Sequence, residues 1–158
     1  MSHVNSHLSY VSLSTIIQRL REETGAGVME CKRALEEAGG DFALAKKIIE
    51  QKGLARAEKK SGRETGAGLL ESYIHNGRVG VLLELRSETD FVARSEPVQK
   101  LAHALVLQIA AMAPESVEEL LQQAFVQDES KTVEAVIKST IAKVGENLKV
   151  ARFVRYQI

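Results

Sequence analysis

The sequence predicts an α+β protein: a three-helix module, then a three-stranded antiparallel sheet packed with helices. Three observations carry this. Apolar residues recur at helical spacing in three short windows before residue 53. Two strand-like runs flank Asn76-Gly77, and a β-branched, partly alternating run, LKVARFVRYQI, follows further helical windows near the C-terminus. The expected division is a frayed tail over 1–11, the helical module over 12–53, a basic linker over 54–68 and the α+β core over 69–158.

In LSTIIQRLREE, Leu13, Ile16, Ile17 and Leu20 share a helix face, and Ser12 is the expected N-cap. Thr24-Gly25-Ala26-Gly27 breaks this helix. VMECKRALEEA buries some of Val28, Cys31, Ala34, Leu35 and Ala38, and Gly39-Gly40 supplies a left-handed C-cap. Asp41 caps FALAKKIIEQK, with Ala45, Ile48 and Ile49 inward and Gly53 as the stop. Residues 54–68 are basic and then Gly-rich, with no apolar stripe, so they read as linker. ETGAG occurs at Glu23–Gly27 and at Glu64–Gly68. A helix follows one copy and a strand the other, which speaks against a duplicated module.

Asn-Gly accepts positive φ at both central positions of a two-residue type I′ turn. That loop pairs Ile74 with Val79, Ser72 with Val81 and Leu70 with Leu83. It gathers these residues on one mostly apolar face and turns Tyr73, Glu71, His75, Arg78 and Glu84 away. Val98, Leu101, Ala102, Leu105, Ile109 and Met112 then form the inward stripe of a long helix. A short acidic helix over about Val117–Val126 follows. Next comes a helix with Val133, Val136, Ile137, Thr140, Ile141 and Val144 on one face, ending at Gly145.

The chain has 158 residues, 44% of them apolar, enough for one ordinary core. No apolar run approaches a membrane span, and MSHVNSHLSY has neither a basic start nor an apolar core, so no signal or transit peptide is expected. One cysteine makes no internal disulfide, which fits a reducing cytoplasm. Lys plus Arg and Asp plus Glu are 21 each, aromatics are 4% and Trp is absent. Both features argue against direct nucleic-acid binding. Five cations lie between Lys52 and Arg63 and five acids between Pro114 and Ser130; both runs read as solvated faces. No nucleophile elbow, HExxH, CxxC or phosphate loop occurs, so no catalytic residue, metal site or cofactor is expected. Cys31 reads as a small buried hydrophobe, and the four histidines as surface or packing residues.

TGAGVMECKRAL, GDFALAKKIIEQKG, the basic KK-G-R linker, NGRVGVLLEL, TDFVAR and VGEN resemble, in order and spacing from about Leu13 to Phe153, the translation elongation factor Ts family. The resemblance implies a guanine-nucleotide exchange factor for elongation factor Tu, binding its GDP-bound and nucleotide-free forms, with a helical module of ubiquitin-associated type. It implies an exchange wedge at Thr89, Asp90, Phe91 and Val92, where Phe91 enters the GTPase beside its magnesium and phosphate site. It also implies contact from Val28 and Met29. Read without the family, Thr89 or Asp90 caps a helix that Phe91 staples, and Val28 and Met29 pack a core. Longer relatives carry a second sheet subdomain and a coiled-coil insertion. This chain stops after one copy, which motivates a homodimer. Thr65-Gly66-Ala67 stands where Ala-x-Glu is common, and Ser95 where Asn or Asp is common. The competing functional reading is an interaction adaptor without exchange activity.

Overall fold

The computed structural model describes residues 12–158, and the tail expected over 1–11, with His3 and His7, lies outside them. The chain divides into two compact units at Gln51/Lys52.

In the first unit, α1 (Leu13–Thr24) starts at Ser12, whose hydroxyl accepts the Thr15 N–H at 3.3 Å. It ends at Gly25, in the left-handed region at φ 70°. Helix α2 (Val28–Glu37) ends at Gly39 and Gly40, both at positive φ, with the Gly40 N–H bonded to the Leu35 carbonyl at 2.8 Å. Helix α3 (Phe42–Lys60) starts at Asp41, which accepts the Leu44 N–H at 2.9 Å. Leu20, Cys31, Ala34, Leu35, Ala38, Ala45 and Ile49 make the core of this unit. Burial pushes the Cys31 thiol up from its ordinary value, so it stays protonated and behaves as an apolar group.

Gly53 does not stop α3, and residues 54–60 are helix rather than linker. An interior glycine costs roughly 1 kcal/mol against alanine in an isolated helix. Here it permits close packing, since a Cβ on Gly53 would meet the Ala142 Cβ at 3.1 Å. One turn later Ala57 is buried in the second core.

In the second unit, β1 (Ala67–His75), β2 (Val79–Ser87) and β5 (Leu148–Gln157) form an antiparallel sheet in the order β1-β2-β5. Between β2 and β5 the chain makes α4 (Asp90–Ala93), α5 (Glu96–Met112), α6 (Val117–Gln122), a small hairpin of β3 (Ala124–Phe125) and β4 (Asp128–Thr132), and α7 (Val133–Val144). The expected acidic helix is therefore shorter, and β3 and β4 replace its end. Buried Gln108 holds this turn by donating to the Ala124 carbonyl at 3.0 Å and accepting the Val126 N–H at 2.8 Å. Leu83, Leu85, Leu105, Ile109 and Leu120 centre the core. Met112 is 47% exposed and is not part of the inward stripe, because it sits in the last turn of α5 beyond the packed surface.

The hairpin is one residue out of the expected register. Asn76 and Gly77 take positive φ, 49° and 66°, as the turn requires. Arg78 nevertheless stays out of the ladder; its N–H bonds to the His75 carbonyl and its carbonyl accepts the Ile158 N–H at 3.0 Å. Pairing resumes as His75↔Val79, Tyr73↔Val81, Glu71↔Leu83 and Leu69↔Leu85. A one-residue slip exchanges the faces of a strand. Leu69, Glu71 and Tyr73 thus share the inner face with Val81, Leu83 and Leu85, while Leu70 and Ile74 point outward and are each 66% exposed. The second core decides the register, because only this pairing places partly buried Leu69 and Tyr73 against it.

Candidate functional site

The run RSETDFVAR leaves β2 and turns sharply into α4, a single turn of four residues. Such a helix has no stability of its own, so neighbouring contacts must hold it. Thr89 is its N-cap, with the Val92 N–H bonded to the Thr89 hydroxyl at 3.3 Å. Phe91 does not staple the start: it is 86% exposed and belongs to neither core. Asp90 pairs with Arg94 at 2.6 Å on the open surface. Ser95 donates its hydroxyl to the Val92 carbonyl at 2.7 Å, closing the turn, and makes no side-chain cap to α5.

The four expected tip residues therefore separate by direction. Asp90 and Phe91 face solvent, while Thr89 bonds back into the protein. Val92 is buried in the second core, so its side chain is an anchor rather than a contact surface. Consecutive helical residues point about 100° apart, and burying Val92 and Ala93 leaves Phe91 no apolar cover.

Residues that periodicity did not single out secure the tip. Both the N–H and the hydroxyl of Thr89 donate to the Glu146 carboxylate, at 3.0 and 2.8 Å. The Ser87 hydroxyl donates to the Thr89 carbonyl at 2.8 Å. Glu88 accepts the Asn147 N–H at 2.7 Å and pairs with Arg63 at 3.5 Å. The buried Asn147 amide donates to the Ser61 and Arg63 carbonyls at 3.2 and 2.9 Å. Glu146 and Asn147 lie in VGEN, which carries no periodic signal.

In the first unit, Val28 and Met29 are 48% and 57% exposed at the start of α2, so neither is core. Beside them on the same helix Cys31, Ala34 and Leu35 turn inward. The described histidines make local contacts: His75 with the Tyr73 hydroxyl at 2.9 Å, and His103 with Glu71 at 3.2 Å.

The outer face of the main sheet is a further apolar surface. Leu70, Ile74, Leu82, Val154 and Tyr156 are all exposed there, and Leu82 lies between Ser72 and Val154 in the ladder. Glu84, on the same face, accepts from Arg152 at 2.6 Å and from Arg86 at 2.5 Å. These two guanidinium groups, Arg152 foremost, hold its carboxyl below the usual range.

Comparison with known proteins gives one answer. A family model described as Elongation factor TS matches residues 88–158. The chain is 42% identical over 191 residues to "Elongation factor Ts" of Coprothermobacter proteolyticus, covering 92% of this chain and 97% of that protein. It is 39% identical over 189 residues to "Elongation factor Ts" of Thermosipho melanesiensis, covering 90% and 96%. It is 42% identical over 193 residues to "Elongation factor Ts, chloroplastic" of Cyanidioschyzon merolae, covering 91% and 92%. Since 92% of 158 residues is about 145, roughly 46 of the 191 positions aligned with the Coprothermobacter protein have no residue in this chain.

Proposed function

The chain belongs to the elongation factor Ts family, and from that premise we propose that it is the guanine-nucleotide exchange factor for elongation factor Tu, acting through Phe91 as a wedge at the GTPase's magnesium and phosphate site. The exchange makes and breaks no covalent bond, so the protein is not an enzyme. The observation that carries the mechanism is the 86% exposure of Phe91 on a turn held from within by Thr89 and buried Val92. A large aromatic group left in water on a fixed support suits a binding anchor. Magnesium and the residues around it hold the diphosphate in such GTPases, so a wedge placed there loosens GDP without touching it. Linkage makes the effect reciprocal: a factor that prefers the empty GTPase must weaken GDP binding by the same factor. Asp90 positions the wedge from the adjacent exposed site. Val28 and Met29, exposed at the start of α2, supply a second contact.

The test is stopped-flow release of fluorescent GDP from elongation factor Tu. The expected result is a release rate that rises with factor concentration and saturates. Binding without acceleration would instead identify an adaptor.

We further propose a homodimer with one GTPase bound per protomer, working in the cytoplasm. Exposed Leu70, Ile74, Leu82, Val154 and Tyr156 support this reading, since a sheet face of that composition gains by covering itself with a second copy. Sedimentation at micromolar concentration should find a dimer that Leu82→Asp dissociates. A monomer with full exchange activity would refute it. Among the described residues, no helix is long and apolar enough to cross a membrane.

A further inference from the structure

We infer that Glu146 is a positioning residue for exchange, acting on the GTPase only through the direction it imposes on Phe91. The inference rests on the wedge reading above. Helix α4 is one turn long, so the direction of Phe91 follows the backbone of Thr89, the residue that starts it. Three groups of Thr89 are held. Its N–H and hydroxyl both donate to Glu146, at 3.0 and 2.8 Å, and its carbonyl accepts from Ser87 at 2.8 Å and from the Ala93 N–H at 3.2 Å. Two hydrogen bonds to one carboxylate fix an orientation as well as a distance.

The clamp comes from far along the chain, 57 residues from Thr89. Glu146 can reach back because α7 ends at Gly145 in the left-handed region, φ 78°. The Gly145 carbonyl accepts from Lys60 Nζ at 2.9 Å, and Asn147 on the other side is buried and bonded to Glu88, Ser61 and Arg63. The carboxylate therefore stands on a fixed turn between α7 and β5. Removing it frees both donors of exposed Thr89 to water, while the core beneath Val92 remains filled. The expected consequence is a tip that still folds and points its ring less reliably.

The experiment measures GDP release against factor concentration for Glu146→Ala, Glu146→Gln, Phe91→Ala and the Phe91→Ala/Glu146→Ala double variant, with thermal unfolding of each in parallel. Glu146→Ala should lower the saturating release rate about tenfold, as loss of a charge-assisted hydrogen bond allows. The half-saturating concentration should stay within about twofold, since docking through the first unit is untouched. Glu146→Gln should restore most of the rate, because its amide can accept from the Thr89 N–H and donate to the hydroxyl. The double variant should be no slower than Phe91→Ala alone. A wild-type saturating rate for folded Glu146→Ala, or losses that multiply in the double variant, would overturn the inference while leaving the wedge intact. A wild-type rate for Phe91→Ala would instead remove the wedge and this inference together. Should Glu146→Ala unfold at the assay temperature, Glu146→Asp, which keeps the charge and shortens the reach, is read by the same criteria.

Discussion

Replacing Phe91 by alanine separates a wedge from a structural residue. A buried phenylalanine truncated to alanine costs about 3–5 kcal/mol, from lost transfer energy and the cavity left behind. Phe91 is 86% exposed and lines no core, so neither contribution applies. The free protein should keep its stability within about 0.5 kcal/mol, the usual range for surface changes. The loss should appear where the ring becomes buried, in the complex. A central aromatic anchor is worth about 2 kcal/mol or more, so GDP release at fixed factor concentration should slow by roughly 30-fold or more. Asp90→Ala should hurt less, because its ion pair with Arg94 is on the open surface and contributes under about 1 kcal/mol. The assay pairs thermal unfolding of the free variant with stopped-flow release at saturating and subsaturating factor. A Phe91→Ala protein that releases GDP at the wild-type rate, stable or not, would refute the reasoning and leave TDFVAR as a capped turn.

Met29→Ala should leave the melting temperature unchanged, because the side chain is 57% exposed, and should raise the half-saturating factor concentration about fivefold; a variant that melts early yet binds normally would make Met29 structural. Gln108→Leu should destabilise the second unit by about 1–3 kcal/mol in urea unfolding, because the buried amide is lost and the Val126 N–H and Ala124 carbonyl lose their partner; an unchanged midpoint would mean water replaces the amide. Glu84 sets a pH dependence. Its folded carboxyl lies below the ordinary 4.5, chiefly through Arg152 and then Arg86, so the unfolded chain binds its proton first. Its contribution is full above the ordinary value and is lost as pH falls through the lowered one. Arg152→Ala should therefore lower the melting temperature at neutral pH, with the difference from wild type shrinking as the solution is acidified. A difference independent of pH would assign the effect of Arg152 to packing.

Short-range chemistry was written plainly in the sequence. Ser12, Asp41 and Thr89 cap the helices that follow them, and Gly25, Gly40 and Gly145 take the left-handed backbone that ends a helix. Each depends only on residues within one turn, so local pattern suffices. Tertiary packing decided the rest. Gly53 looked like a stop, yet Ala142 from α7 occupies the space a side chain would take, and α3 continues to Lys60. Asn76-Gly77 marked the hairpin without setting its register, because both sheet faces carry apolar residues and only the core shows which face is covered. The motif named the tip but not its division into exposed Phe91 and buried Val92. Nothing near Thr89 in sequence pointed to Glu146, because the contact closes across 57 residues and exists only once α7 and β5 are in place.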